Sequence, residues 1–196
     1  MKKVLAEAKE HVLHQYGGDI GKRREELATP ALVLDADAAQ RNIDHMAGAL
    51  ADLGRAVIRP HYKTHKSPEL ARRQVDAGAG GLSTATVWEA AVLAAAGFDD
   101  IFVVNTVSHP AKLRLLAELA AGRRILVAAD EADNAAALSA AAVRAGSVLG
   151  VMVEVDTGMD RCGVDTADAA VVLARQVAGL PGLPGRASPA TRATAR

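Results

Sequence analysis

The densest group of reactive side chains is segment 59–66, Arg-Pro-His-Tyr-Lys-Thr-His-Lys, which holds three permanent cations and two histidines. Crowded positive charge favours a neutral lysine amine, the form that Schiff-base chemistry requires. The alternation of a strand would place His61, Lys63 and His65 on one face. A solvated basic loop that binds a phosphate, or nothing, is the alternative interpretation of the same residues.

The two histidines of this segment could instead coordinate a metal ion. Residues 59–66 contain no carboxylate or cysteine to complete such a site. We therefore predict no metal ligand in this chain.

A second polar cluster, residues 154–164, follows a strongly apolar run. Gly158 and Gly163 allow a tight loop there. Arg161 offers forked donors suited to a phenolate, carboxylate or phosphate oxygen. An ordinary turn in which Arg161 pairs with a neighbouring aspartate is the alternative.

Two further polar residues lie close to the ends of predicted strands. Asn105 could hydrogen-bond a ligand, or it could shape the turn in which it lies. Thr86 precedes an apolar helical pattern, so it could contribute to a site or simply cap that helix.

The elements that must position these residues alternate along the chain. Short apolar runs predict strands, and the segments between them show helical spacing. The predicted strands are residues 31–34, 56–58, 81–83, 101–104, 125–128 and 148–155. The predicted helices are residues 2–16, 38–53, 68–77, 87–96, 110–121, 131–145 and 167–178. About six strand-then-helix units in a row indicate an α/β fold with a parallel sheet.

Two architectures fit this alternation, an open doubly wound sheet and a closed (β/α)8 barrel. Residues 35–39, which follow the first predicted strand, contain none of the glycines of a nucleotide-binding fingerprint. Polar residues instead follow several strands, as in the active site of a barrel. The sequence therefore favours a TIM-type barrel, with about six of its eight units present.

Composition excludes several classes of protein. Lys+Arg and Asp+Glu are equal at 23 each, and aromatic residues make up 3%, which argues against a nucleic-acid binder. The single cysteine, Cys162, excludes a disulfide scaffold and is interpreted as a small packed residue rather than a nucleophile. No apolar run is long enough to span a membrane. We expect a cytoplasmic protein with no nucleic-acid or membrane partner.

Three regions are expected along the 196 residues. Residues 1–28 form an N-terminal helix and lead-in, and residues 29–183 form the partial barrel. Residues 184–196 carry no large apolar side chain, so we expect a disordered, non-native tail. A complete barrel needs roughly 250 residues, so the chain is too short for one.

Four motifs in order, residues 29–35, 59–69, 85–90 and 154–164, resemble the D-threonine aldolase and D-serine dehydratase family. That family has the pyridoxal-phosphate barrel of the alanine-racemase type. The resemblance implies that Lys63 holds pyridoxal 5'-phosphate as an internal aldimine and that Arg161 contacts the phenolic oxygen of the cofactor. It places His61 in the cofactor pocket, and it assigns Asn105 and Thr86 to cofactor binding on weaker grounds.

The implied activity is that of a lyase acting on small D-3-hydroxy amino acids. In full-length relatives a C-terminal β-domain holds a divalent metal, and the resemblance implies that this chain lacks that domain and the last two barrel strands. We therefore expect an inactive N-terminal fragment. An amino-acid racemase and a non-catalytic barrel that binds pyridoxal phosphate are the alternatives, and the resemblance also allows a homodimer.

Overall fold

The computed structural model describes residues 6–7, 10–11, 13–14, 17–27, 29–51, 57–183 and 190–191. The helices are α1 (Ala36–Ala51), α2 (Pro68–Asp76), α3 (Val87–Ala95), α4 (Pro110–Leu119), α5 (Ala132–Ala145) and α6 (Ala167–Ala178). The strands are β1 (Leu82–Thr84), β2 (Asp100–Val103), β3 (Arg124–Ala129), β4 (Gly150–Val155) and β5 (Ala190–Thr191). Short 3-10 helices occupy Gly17–Asp19, Arg24–Glu26 and Tyr62–Thr64.

The five strands form one parallel sheet in the order β1-β2-β3-β4-β5. One helix lies between each two consecutive strands, which confirms the predicted alternation. In the ladder, Leu82 pairs with Ile101 and Ile101 with Ile125, and all three are almost completely buried. They share a hydrophobic core with leucines of α3, α4 and α5, namely Leu93, Leu116 and Leu138. Burial beneath a layer of helices is why these strands are short apolar runs.

The first predicted strand, residues 31–34, is wrong. This segment forms no strand, and Leu32, Val33 and Leu34 are exposed. A short apolar run becomes a strand only when a neighbouring strand supplies hydrogen bonds. No strand within the described part of the chain pairs with this segment.

The second predicted strand, residues 56–58, is only partly tested because Ala56 lies outside the described residues. The chain from residue 57 to residue 60 is not a regular strand, yet it runs beside β1. The Gly80 amide donates to the Ile58 carbonyl at 3.1 Å, and the Ser83 amide donates to the Pro60 carbonyl at 2.8 Å. Pro60 has no N–H to donate in return, so this ladder remains irregular.

Residues 57–60, the edge segment, are held to the sheet by a cluster of ion pairs. The Arg59 guanidinium donates to both carboxylate oxygens of Asp100, at 2.8 and 2.7 Å, and Arg124 donates to the same carboxylate at 2.6 Å. Burial alone would raise the pKa of Asp100, but the hydrogen bonds and charges of the two arginines outweigh it and lower the pKa. A Cβ on Gly81 would collide with the Arg59 guanidinium, so glycine permits this close approach.

Helix α1 packs less tightly than helices α2–α6, since none of its residues is buried. A groove of about 440 Å³ separates it from the edge segment, and Ile43, Met46, Leu50 and Val57 contribute to its lining. Among the described residues, no helix combines the length and apolar character that crossing a bilayer requires.

The two ends of the chain are described only in part. Six residues within the predicted helix 2–16 are described, and all six are helical. In the predicted tail, Ala190–Thr191 forms β5 and pairs with Glu154 and Val155 of β4. This short pairing does not test the disorder predicted for residues 184–196. Residues 184–189 and 192–196 lie outside the described part, where the predicted disorder stays a prediction.

Candidate active site

The five candidate residues come from four loops at one edge of the sheet. His61 and Lys63 follow the edge segment, Thr86 follows β1, Asn105 follows β2 and Arg161 follows β4. Because the strands are parallel, their carboxyl ends all lie at the same edge, which is where barrels of this kind assemble their sites.

Lys63 lies in the short 3-10 helix Tyr62–Thr64, with its side chain exposed. His61 precedes this helix as its N-cap, and its Nδ1 accepts a hydrogen bond from the Lys63 amide at 3.3 Å. His61 is half-buried beside the loop, so its ring orients the backbone of Lys63 while the lysine amine stays accessible.

The buried side chain of Tyr62 holds the same loop in place. Its hydroxyl donates to the backbone carbonyl of Lys66 at 2.8 Å. The ring meets that of His65 edge to face, with centroids 5.6 Å apart. Burial, and secondarily the charge of Glu89, raise the pKa of Tyr62, so its hydroxyl remains a donor. The strand that was predicted to place His61, Lys63 and His65 on one face is therefore wrong. These residues lie instead in and beside a turn that the Tyr62 contacts hold in place.

Thr86 and Asn105 both make contacts that build the turn after β1. The Thr86 hydroxyl accepts from the Glu89 amide at 3.1 Å and caps α3. The Asn105 amide donates to the Ala85 carbonyl at 2.9 Å. The Thr86 contact matches the alternative that this residue caps the helix, whereas Asn105 contacts the turn after β1 rather than the turn in which it lies. Their roles in cofactor binding stay predictions.

The loop that carries Arg161 is folded around the carboxylate of Asp156. The amides of Gly158, Met159 and Asp160 donate to this carboxylate at 2.9–3.0 Å. These hydrogen bonds, that of Gly158 foremost, lower the pKa of Asp156. Within the described part of the chain, Arg161 forms no ion pair with Asp156 or with Asp160. The guanidinium is exposed, so its donors are available to an anionic group.

Three potential metal-ligating side chains also meet beside this loop. One ligand atom from each of Asp130, Glu154 and Cys162 lies within 4.8 Å of the others. The Gly163 amide already donates to the Asp130 carboxylate at 2.9 Å. Glu154 and Cys162 both belong to the 154–164 cluster, but Asp130 follows β3, so spacing in the sequence gave no signal that the three would meet.

Sequence reasoning also missed the connection between the Lys63 loop and α3. Glu89 accepts from the Ala85 amide at 2.8 Å and lies 3.8 Å from the Lys66 ammonium. Position in the sequence marks Glu89 only as an acid in the first turn of a helix. The acid-base pairing of residues 23 positions apart in the chain is visible only once the fold brings them together.

Comparison with known proteins gives consistent results. The family described as "Alanine racemase, N-terminal domain" matches residues 34–187. The chain is 44% identical over 155 residues to a D-threonine aldolase from an Arthrobacter species, covering 79% of this chain and 41% of that one. It is 40% identical over 176 residues to a 3-hydroxy-D-aspartate aldolase from Paracoccus denitrificans, covering 87% of this chain and 45% of that one.

A solved structure agrees with these sequence matches. The D-threonine aldolase from Filomicrobium marinum superposes with a TM-score of 0.78 at 39% identity, covering 84% of this chain and 43% of that one. The chain thus spans less than half the length of the relatives that it matches. Because the family match covers more than half of the residues, the chain belongs to the alanine racemase N-terminal domain family, and its parallel sheet is part of a (β/α)8 barrel.

Proposed function

We propose that Lys63 is the covalent attachment point for pyridoxal 5'-phosphate in a lyase that acts on small D-3-hydroxy amino acids. The observation that carries the proposal is an exposed lysine amine held in a pinned turn at the carboxyl edge of the sheet. Relatives named as D-threonine aldolase and 3-hydroxy-D-aspartate aldolase support the class of substrate.

The donor set at this edge fits the cofactor. A primary amine condenses with an aldehyde and releases one water, and Lys63 presents such an amine to solvent. The exposed Arg161 guanidinium suits a phenolate oxygen. His61 is half-buried beside Lys63 and can line one side of the pyridine ring of the cofactor. When bound, the cofactor supplies an electron sink for charge that develops at the substrate Cα.

The chain's own residues would position the reactants and hold protons. Because Nδ1 of His61 accepts the Lys63 amide hydrogen, a neutral His61 ring carries its own proton on Nε2. The Asp156 carboxylate fixes the turn before Arg161 and thereby places the guanidinium at the edge. Thr86 and Asn105 are the further candidates for contacts to the cofactor.

We propose further that this chain alone binds pyridoxal phosphate without turning over substrate. Its coverage of 41–45% of the curated relatives supports this part of the proposal. A racemase and a non-catalytic barrel that binds the cofactor remain the alternative functions. A homodimer and a cytoplasmic location belong to the same proposal, and the lone Cys162 supports a reducing compartment.

The visible absorption spectrum of the purified chain with added pyridoxal phosphate tests the attachment. We expect a new band that Lys63→Ala abolishes. Lys112→Ala, which removes an exposed lysine from α4, is the matched control and should keep the band. A band that survives Lys63→Ala would exclude Lys63 as the attachment point.

The proposed absence of turnover is tested by supplying D-threonine and D-serine separately to the chain loaded with pyridoxal phosphate. An aldolase would release glycine and an aldehyde, whereas a dehydratase would release a keto acid and ammonia. We expect neither set of products above the rate with free cofactor. Production of either set would show that the chain is a competent enzyme and would identify its reaction.

A further inference from the structure

Glu89 connects two loops of the candidate site. Its side chain is mostly buried, at 13% exposure, although it lies in the first turn of α3. One carboxylate oxygen accepts from the Ala85 amide at 2.8 Å, and the other lies 3.8 Å from the Lys66 ammonium. The carboxylate therefore contacts both the turn after β1 and the loop that carries Lys63.

Lys66 is the residue at which the Lys63 loop closes. Its backbone is in the left-handed region, with φ of 51°. Residues other than glycine rarely adopt this conformation unless surrounding contacts hold them in it. Its amide donates to the Tyr62 carbonyl at 2.8 Å, and its carbonyl accepts from the Tyr62 hydroxyl. Fixing Lys66 therefore fixes the C-terminal side of the turn in which Lys63 lies.

Capping of α3 does not account for the charge of Glu89. Thr86 already provides the N-cap by accepting from the Glu89 amide. A neutral oxygen can also accept from the Ala85 amide, so that hydrogen bond alone does not require a charge. Within the described residues, Lys66 is the one cation that forms an ion pair with the Glu89 carboxylate.

We propose that Glu89 is a positioning residue for Lys63, because it holds the Lys63 loop against the turn after β1 through Lys66. The proposal rests on the proposed attachment of pyridoxal phosphate to Lys63. Glu89 acts on the lysine amine only indirectly, by restricting the orientations of the loop. The expected consequence is tighter binding and a better defined orientation of the attached cofactor.

Glu89→Gln and Lys66→Gln, alone and together, test this proposal. Glutamine at position 89 keeps an acceptor for the Ala85 amide and removes only the charge. Glu118→Gln is the matched control, because it removes the acid of the exposed pair between Arg114 and Glu118 on α4, also at 3.8 Å. Pyridoxal phosphate is titrated into each variant of the 196-residue chain, and two quantities are recorded. These are the apparent Kd and the induced circular dichroism per unit of Lys63-dependent absorbance.

We expect each single variant to raise the Kd about three- to fivefold, the size that a partly exposed ion pair supports. Induced circular dichroism should fall in both, because the cofactor is less fixed, and a purely structural cap would leave that signal unchanged. The double variant should be no worse than either single variant, since both remove the same contact. Glu118→Gln should match the unmodified chain.

Wild-type values in Glu89→Gln, or additive losses in the double variant, would overturn the inference. If Glu89→Gln lowers the thermal midpoint, Lys66→Gln decides, because its exposed side chain can be replaced without disturbing the core. A Lys66→Gln variant with wild-type Kd and dichroism would then overturn the inference alone. Absence of the band in the unmodified chain would instead overturn the proposed function and, with it, this inference.

Discussion

The Tyr62 hydroxyl donates a hydrogen bond to the Lys66 carbonyl at 2.8 Å and so closes the turn that presents Lys63. The donor belongs to a buried side chain, whereas Lys63 itself is exposed. The loop therefore combines a rigid base with an accessible amine, which suits a residue that must react with an aldehyde from solution.

Tyr62→Phe should loosen this turn while leaving the buried ring in place. We expect a loss of about 0.5–1.5 kcal/mol in the free energy of unfolding, the usual net value of one hydrogen bond. Urea titration measures this change, and the rate at which Lys63 reacts with pyridoxal phosphate reports on the turn. Unchanged stability together with an unchanged rate would show that the hydroxyl does not hold the loop.

The carboxylate of Asp100 should stabilise the edge of the sheet through Arg59 and Arg124. Asp100→Asn should cost about 1–3 kcal/mol near neutral pH, because charge-assisted hydrogen bonds are lost and a partly buried guanidinium loses its partner. Asp99→Asn is the control, since Asp99 is 77% exposed and pairs with Arg123 only at 3.6 Å. It should change the free energy of unfolding by less than about 0.5 kcal/mol.

The contribution of Asp100 should also depend on pH. Its folded pKa is lowered, so its stabilisation is complete above the ordinary value of 3.8 and is lost as the pH falls through the folded pKa. The difference in stability between the unmodified chain and Asp100→Asn should therefore shrink below that value. Urea titrations across this range measure the difference. A gap that stays constant into strong acid would contradict the role given to the ion pairs.

Gly163 and Gly158 should respond differently to alanine, although both have positive φ, at 103° and 105°. A Cβ on Gly163 would press on the backbone of Val155 and Asp156. A Cβ on Gly158 would have no heavy atom of the described residues within 4 Å beyond its immediate chain neighbours. Gly158→Ala should cost roughly 1–2 kcal/mol of backbone strain. Gly163→Ala should cost about 1–3 kcal/mol more, as overpacking does. Equal losses in the free energy of unfolding would contradict the crowding at Gly163.

Local patterns were sufficient for the elements whose neighbours lie close in the chain. The apolar runs that became β2, β3 and β4 each have paired strands on both sides, so burial agrees with their composition. The apolar run at residues 32–34 has a composition as typical of a strand as those three runs, yet it has no pairing partner within the described residues. Strand formation depends on long-range pairing that composition alone does not report.

The same distinction applies to the candidate site. Lys63 and Arg161 could be singled out because strand-end position and residue type are local features. The bridge from Glu89 to Lys66 and the meeting of Asp130 with Glu154 and Cys162 are contacts between distant segments. Predicting them requires the register of the sheet, which no spacing in the sequence contains.

The measurement that tests the central claim most directly is reduction of the chain with borohydride in the presence of pyridoxal phosphate, followed by peptide mass mapping. We predict one dominant modified lysine, Lys63, at stoichiometric cofactor. Lys63→Ala should lose that label without a compensating gain at Lys66 or Lys112. Equal labelling of exposed lysines, or full labelling of Lys63→Ala, would contradict the assignment of Lys63.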